Sequence, residues 1–421
     1  MEKDNEVIQS EEEKGVIIEL PVTKETNTNV VRKKRNGAKL SALAYVIIIL
    51  IVLIITYVII DVSSGGFIYT ANGRFMSFFG GNSSEDFEFD INANNVYSFD
   101  GYSDGFMILT ENGASFVDKN GNLMSGQQLV YSKPACEYNG KNLAFFDRGN
   151  QAYTIMKNQT VRSQKKLDNK IIDFAVSEKD NYSVVIRDDT KSVLLGCDSR
   201  DEVIYRWDCP QGYITDVSIN DKGTKVIASV LNSVNANLNS KVYILDFEYN
   251  TAYAEFEYKN ETVLCTKFLS GKKLVVITDK KMYLINGKEQ SILHDFGSQD
   301  ICYADYSDKY LAVITKNYSD DESFFLVVIN NSGKIKYTSE LDGKVSGLSV
   351  SDRSLAVLFD DKTETYSVQG KLVGQITNLK HYEGIVINDN YLYVLGTDSV
   401  KRFSAYGMSA YESQIEENVT E

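Results

Sequence analysis

The chain has 421 residues, of which 43% are apolar, 11% are aromatic and only three are proline, a composition that excludes a largely disordered protein. Its 44 lysine and arginine residues and 58 aspartate and glutamate residues give a net charge of −14, which argues against a surface that binds nucleic-acid phosphates. Five cysteines are too few, and odd in number, for a secreted scaffold built on disulfide bonds.

The first 39 residues are polar and carry as many acidic as basic side chains. Apart from a short apolar patch at residues 16–21, they contain nothing that could form a core. The sequence therefore predicts a short disordered tail at residues 1–39.

An uncharged apolar run follows from Leu40 to Ile60. At about 1.5 Å per residue it would form a helix roughly 31 Å long, enough to cross the hydrocarbon core of a bilayer. The sequence thus predicts a transmembrane helix at residues 40–61. The run is too long for a signal peptide and lacks a small-x-small cleavage site, so it is predicted to remain as an anchor.

A basic cluster directly precedes this run, whereas the first charge after it is Asp61. The cluster consists of Arg32, Lys33, Lys34, Arg35 and Lys39. The positive-inside rule then predicts a single-pass protein of the cell membrane, with a cytoplasmic N-terminus and an extracellular body. Residues 62–84 are predicted to be a juxtamembrane linker.

Beyond residue 90 the chain consists of short apolar runs separated by Asp, Asn, Gly, Ser and Lys, which is typical of an all-β protein. Four such runs recur as a unit. The second run of each unit begins at Phe106, Leu143, Val184, Val226, Leu274, Leu311, Leu355 and Leu392. The mean spacing of about 41 residues lies in the range of four-stranded propeller blades.

The pattern predicts an eight-bladed β-propeller over residues 85–406, with seven blades as the alternative, because stacked blades bury both faces of every sheet. The last blade has three obvious strands. Its fourth strand is predicted to come from residues 85–91, which alternate acidic and apolar side chains. A rival is Gly407 to Ile415; otherwise residues 407–421 form an acidic C-terminal tail.

The segment ITDVSINDKGTKVIASV, residues 214–230, resembles the repeat of YVTN/WD40-like propellers through Asp216, Asp221, Lys222 and Gly223. The arrangement of tail, membrane helix and acidic propeller, over roughly residues 30–410, also resembles a family of uncharacterised single-pass propeller proteins of Gram-positive bacteria. The repeat motif is structural, so the resemblance implies a fold and not a chemistry.

Aligning the first runs of the units places six residues at about the same position: Asp173, Asp216, Cys265, Cys302, Ser346 and Glu383. First strands line the central channel of a propeller. Asp173, Asp216, Ser346 and Glu383 are therefore predicted to form a channel ring that binds a cation or a small ligand. The alternative is that small polar residues simply fit beside a hydrated channel.

No catalytic residue, metal site or cofactor is predicted. The imidazoles, His294 and His381, belong to no metal-binding motif, and no GxSxG or phosphate-binding loop is present. The five cysteines are spaced as buried free thiols rather than as pairs. The oligomeric state leaves no signal in the sequence.

The leading hypothesis is a binding module of the cell envelope, tethered through residues 40–61, which presents loops to an envelope protein. The alternative is a polysaccharide hydrolase with paired carboxylates at the channel mouth. A sensor is a third option, limited by the short tail.

Overall fold

Strands account for all the regular structure in the described part of a computed structural model, residues 87–234, 237–317 and 320–410. These strands form eight sheets, and consecutive strands within each sheet are antiparallel neighbours. No helix among the described residues is long and apolar enough to cross a membrane. The predicted tail, transmembrane helix and linker, residues 1–84, lie outside the described residues.

The first four blades follow one another along the chain. Blade 1 contains β2 (Val96–Tyr102), β3 (Gly105–Thr110), β4 (Gly113–Val117) and β5 (Leu123–Gln128). Blade 2 contains β6 (Pro134–Asn139), β7 (Asn142–Asp147), β8 (Ala152–Lys157) and β9 (Thr160–Lys166). Blade 3 contains β10 (Lys170–Val176), β11 (Tyr182–Asp188), β12 (Lys191–Cys197) and β13 (Val203–Asp208). Blade 4 contains β14 (Tyr213–Ile219), β15 (Lys225–Val234), β16 (Asn237–Asp246) and β17 (Ala254–Lys259).

The last four blades include strands from both ends of the described chain. Blade 5 contains β18 (Val263–Phe268), β19 (Lys273–Thr278), β20 (Lys281–Asn286) and β21 (Glu289–Asp295). Blade 6 contains β22 (Gln299–Tyr306), β23 (Tyr310–Asn317), β24 (Asp320–Asn330) and β25 (Ile335–Asp342). Blade 7 contains β26 (Val345–Val350), β27 (Ser354–Phe359), β28 (Lys362–Ser367), β29 (Leu372–Thr377) and β33 (Gly407–Ala410). Blade 8 contains β30 (Tyr382–Asn388), β31 (Tyr391–Gly396), β32 (Ser399–Ser404) and β1 (Glu88–Asp90).

The core lies between the blades. The second strand of a blade has an apolar centre, as in β3, β7 and β27, and every residue of these three strands is buried. Eight hydrophobic clusters each join two consecutive blades, and one of them joins blade 8 to blade 1. The eight-bladed ring predicted from the repeat is therefore present and closed, and all eight predicted second strands are found within two residues of their marker.

Closure of the ring uses the N-terminal strand. β1 pairs antiparallel with β32, with Phe89 opposite Val400. The Phe106 ring of blade 1 contacts the Tyr393 ring of blade 8, with centroids 5.1 Å apart. The prediction that the last blade is completed from the segment 85–91 is confirmed by β1, while residues 85 and 86 lie outside the described residues.

The rival closing segment takes another place. β33 adds to the outer edge of blade 7 as a parallel partner of β29, with Gly407 opposite Gly374. Because β1 already occupies the edge of β32, the chain leaves blade 8 and crosses to its neighbour. Gly374 permits this crossing, since a Cβ there would lie 2.2 Å from the Ala405 carbonyl oxygen. Residues 407–410 are thus a strand and not part of a tail.

First strands contact the first strands of neighbouring blades around the axis of the ring. All eight run in the same direction. We call the face of the ring at which they begin the entry face, and the face at which they end the exit face.

Candidate functional site

A bulge near the entry face determines which residues of the different first strands occupy equivalent positions. In seven of the eight first strands, all within the described chain, one residue is skipped in the pairing with the second strand. The skipped residues are Tyr97, Ile172, Thr215, Leu264, Cys302, Ser346 and Glu383. An extra residue shifts every later side chain in a sequence alignment by one position.

The alignment behind the predicted channel ring is therefore off by one for half of its members. Asp173 and Asp216 are the first paired residues after their bulges, whereas Ser346 and Glu383 are bulged residues themselves. Asp173 and Asp216 line one cavity together. The Ser346 hydroxyl instead donates to the Leu358 carbonyl at 3.4 Å, and Glu383 is exposed. The structure brings the two aspartates together and leaves the other two residues apart from them.

The cavity around these aspartates opens at the entry face and has a volume of about 520 Å³. We call it the entry cavity. Its lining combines carboxyl groups, guanidinium groups and apolar side chains: Glu137, Asp173, Asp216, Arg148, Arg187, Ile172, Tyr213, Ile214, Thr215 and Leu264. A cavity of this size is within the range of small-molecule sites.

Asp173 ties blade 3 to blade 4. Its carboxylate accepts a hydrogen bond from the Val217 backbone N–H of the next blade at 3.0 Å. The Arg148 guanidinium lies 3.5 Å from its other oxygen. Burial, followed by the negative charge of Asp216, raises the pKa of Asp173 to about 7, and Arg148 opposes this shift.

Asp216 makes the corresponding connection from blade 4 to blade 5. It accepts hydrogen bonds from the Thr266 hydroxyl at 2.6 Å and from the Ser229 hydroxyl at 3.3 Å. Burial raises the pKa of Asp216 to about 6. Both aspartates are held in bonds between or within blades, so the site gives no support to a polysaccharide hydrolase that would use them as a free acid and base.

Glu137 lies deeper in the channel. Among the described residues its carboxyl group has no hydrogen bond and no ion pair. Burial and then the negative charges of Asp173 and Asp216 raise the pKa of Glu137 well above its ordinary value, while Lys267 and Arg148 oppose the rise. This residue was not among those predicted from the sequence.

A second cavity, of about 460 Å³, opens at the exit face. We call it the exit cavity. Lys267 enters it with its ammonium 3.5 Å from the centre of the Tyr306 ring. Burial lowers the pKa of Lys267, and Glu137 opposes that shift. Asp305 accepts a hydrogen bond from the Val350 N–H of the next blade at 2.7 Å, and burial raises its pKa to about 7.

Four charged residues of the channel occupy one level of the ring, which was not predicted from the sequence. Asp100, Glu137, Lys267 and Asp305 pair with equivalent residues of their second strands. A count from the strand ends does not align them, because Asp100 and Glu137 are third from the end of their strands and Lys267 and Asp305 are second from the end.

The described residues contain neither a metal-binding site nor a reactive thiol. No three His, Cys, Asp or Glu side chains there converge in a way that could hold a metal ion. All five cysteines are free thiols; Cys197 and Cys209 are buried, as the sequence predicted, whereas Cys136, Cys265 and Cys302 are only half-buried. Burial raises the pKa of the Cys265 thiol, which is at the level of Asp216, to about 12, so it stays protonated at neutral pH.

Sequence comparison connects the chain to a family rather than to an activity. The sequence profile of Family of unknown function (DUF5711) matches residues 83–377. None of the curated proteins matches the sequence.

Solved structures with the same architecture are distant in sequence. The computationally designed Ika8 protein has a TM-score of 0.56 and 12% identity over 75% of this chain and 98% of that chain. The C-terminal WD40 domain of Sif2 has a TM-score of 0.54 and 11% identity over 76% of this chain and 97% of that chain. BamB from Moraxella catarrhalis has a TM-score of 0.48 and 12% identity over 75% of this chain and 95% of that chain. The first two likenesses show the WD40-like propeller fold alone.

Proposed function

The chain belongs to the DUF5711 family of unknown function, and we propose that its propeller is a protein-binding module of the cell envelope. In this proposal residues 40–61 hold it at the cell membrane, with the N-terminus in the cytoplasm and the propeller outside. β-Propellers commonly serve as interaction modules, because a rigid ring fixes many loops in one arrangement.

The proposal depends mainly on apolar side chains that are exposed at the entry face. Tyr97, Tyr213 and Leu264 lie at the beginning of three first strands and are 45%, 49% and 47% exposed. Val130, in the connection between blades 1 and 2, is 89% exposed. Exposed aromatic and aliphatic side chains on one face are typical of a protein contact surface.

Blade 4 gives this face a raised side. Its second strand continues three residues past Leu231, which is the partner of Tyr213, and pairs with β16 through residues 232–234. At about 3.3 Å per residue this extension is roughly 10 Å long. Leu238 is 53% exposed in this extension. A partner docked around the channel mouth would also contact this ridge.

Tyr213 has the properties of a binding hot spot. The Arg187 guanidinium lies over its ring, 5.5 Å from the ring centre. Tyrosine and arginine are the residue types that most often dominate protein interfaces. Substituting Tyr213 and Leu264 together by serine should weaken partner binding by at least about tenfold, which corresponds to about 1.4 kcal/mol.

Site-specific photocrosslinking in the cells that produce the protein tests this docking surface. A photoreactive residue at Leu264 should capture one defined protein. The same residue at Met124, which is 44% exposed on an outer strand, is the matched control and should capture nothing defined. Equal capture from both positions, or capture from neither, would reject the entry face as the docking surface.

Membrane fractionation tests the location separately. The full chain should remain in membranes after an alkaline carbonate wash. Protease added to intact cells should digest the propeller and spare an epitope within residues 1–39. A chain released by the wash, or a propeller protected in intact cells, would contradict the proposed location.

A further inference from the structure

Two charged groups of the entry cavity have no hydrogen-bond or ion-pair partner among the described residues. Asp173 is paired with Arg148, and Asp216 accepts two hydroxyl hydrogen bonds. Among the described residues, the Glu137 carboxyl group and the Arg187 guanidinium have neither a hydrogen bond nor an ion pair. The cavity thus contains one unmatched acidic group and one unmatched cationic group.

We propose that the entry cavity binds a short peptide of two or three residues through its two charged ends, with the ammonium at Glu137 and the carboxylate at Arg187. This inference goes beyond the protein-docking function and needs neither the membrane anchor nor a protein partner.

Strand register gives the direction of the bound peptide. Along the first strands, Glu137 lies two residues closer to the exit face than Asp173 does. Arg187 lies two residues closer to the entry face than Val185, which pairs with Asp173. Four residues of strand separate the two levels by about 13 Å. The amino end therefore lies inward and the carboxyl end lies at the mouth.

The same separation gives the length of the peptide. A single amino acid carries both charges on one carbon atom, whereas two or three extended residues span about 7 to 10 Å. The long side chains of Glu137 and Arg187 make up the remaining distance. A longer peptide would extend out of the mouth.

The walls provide the remaining contacts. Ile172, Tyr213 and Leu264 line the cavity and can cover an apolar peptide side chain. Because Arg187 lies over the Tyr213 ring, its guanidinium is held at the mouth. A planar guanidinium in a fixed position suits two parallel hydrogen bonds to a carboxylate.

Glu137 must be ionised to attract the ammonium. The charged groups that face it are Asp173 and Asp216, which raise its pKa, and Lys267 and Arg148, which lower it. An ammonium in the cavity favours the carboxylate, so binding of a free amino end expels a proton. Affinity should therefore rise with pH more steeply for a free amino end than for an acetylated one.

Calorimetric titration of the full chain with end-blocked peptides tests the proposal without altering the protein. The probe is the tripeptide Ala-Leu-Ala. N-acetylation or C-amidation should each weaken its binding at least about tenfold, the loss of one charge-assisted contact. Free leucine, which carries both charges on one carbon, should bind more weakly than the tripeptide.

Variants then assign the two ends. With Arg187→Gln, the free and the amidated peptides should bind equally, while N-acetylation still weakens binding. With Glu137→Gln, the free and the acetylated peptides should bind equally. Arg353→Gln in the exit cavity is the matched control, and it should leave every affinity unchanged.

Several outcomes would overturn the proposal. They are absence of saturable binding, equal binding of free and blocked peptides, and a loss in Arg353→Gln that matches the loss in Arg187→Gln. If acetylation alone weakens binding, the cavity is an amine site and the assignment of the carboxylate to Arg187 is wrong.

Discussion

Both ends of the described chain add a strand to a blade, but the two strands differ in what they bury. β1 pairs antiparallel with β32 and places Phe89 and Ile91 in the cluster between blades 8 and 1, where each is 8% exposed. β33 pairs parallel with β29, and Met408 within it is 64% exposed.

The difference shows that backbone pairing alone does not make a strand essential to a propeller. Any free blade edge offers N–H and C=O groups to an incoming segment. The net contribution of such hydrogen bonds is small, because the same groups bond to water when unpaired. Burial of apolar side chains between blades stabilises the fold more. Of the two strands, β1 buries Phe89 and Ile91 between blades, whereas Met408 of β33 is exposed.

Removing the buried ring from β1 tests this comparison most strongly. Phe89→Ala should lower the free energy of unfolding by about 4 kcal/mol, since the ring contacts Phe106 across the closing junction. Met408→Ala in β33 is the control and should change stability by less than about 0.5 kcal/mol. Urea unfolding of the full chain measures both values. Similar losses in the two variants would refute the distinction.

Arg402 sharpens the comparison, because it is a polar residue buried at the same junction. Its guanidinium lies 4.9 Å from the Phe87 ring centre and 4.6 Å from that of Tyr391, and it donates to the Lys119 carbonyl. Arg402→Leu keeps much of the volume and should cost about 2 kcal/mol in urea unfolding.

Arg206→Leu is the matched control for this substitution. Arg206 lies on an outer strand, half exposed, where it pairs with Asp208 at 3.0 Å. Its loss should cost less than about 0.5 kcal/mol. A cost for Arg402→Leu as small as this would mean that the stacked guanidinium does not hold the closing strand.

The closing junction should also differ from the other junctions in its response to pH. Burial raises the pKa of Asp173 and of Asp305 to about 7. An unfolded chain ionises these groups near pH 4, so the folded protein binds more protons between those values. Its stability is therefore greatest at low pH in this window and falls as the pH rises toward 7.

Asp305→Asn measures this effect at the junction of blades 6 and 7, where the side chain faces Asp100 and Lys267. The fall in stability between pH 6 and pH 7 should be smaller than in the wild type by about 1 kcal/mol. The loss caused by Phe89→Ala should be the same at both pH values. If the stability of Asp305→Asn falls with pH as steeply as that of the wild type, this carboxyl group has the same pKa in the folded and the unfolded chain.

The architecture was predictable from the sequence because it repeats. The second strand of each blade is buried on both sides, so its apolar run is conspicuous, and its spacing gives the blade count. The closing strand was predictable because Phe87, Phe89 and Ile91 alternate with polar residues. The place of β33 at the edge of blade 7 was not, because Gly407, Met408 and Ser409 are exposed and show no apolar stripe.

The candidate site was only half predictable, for a geometric reason. Asp173 and Asp216 line one cavity, but a bulge adds one residue before Gly347 and Gly384, so Ser346 and Glu383 occupy a different position of their strands. A bulge leaves no apolar period in the sequence. The unmatched state of Glu137 depends on residues from other blades, which no local pattern reveals.

The smallest expected effect is the loss of β33 itself. The four parallel pairs contribute a small net gain from hydrogen bonds, and ordering four residues costs conformational entropy of similar size. These two contributions nearly cancel, so a chain ending at Tyr406 should unfold within about 0.5 kcal/mol of the full chain. A chain ending at Ser404 is the control, because it also loses the buried Ala405, and it should be measurably less stable. If ending the chain at Tyr406 costs as much as Phe89→Ala, the C-terminal strand supports blade 7 as strongly as the N-terminal strand supports blade 8, and burial is not what separates them.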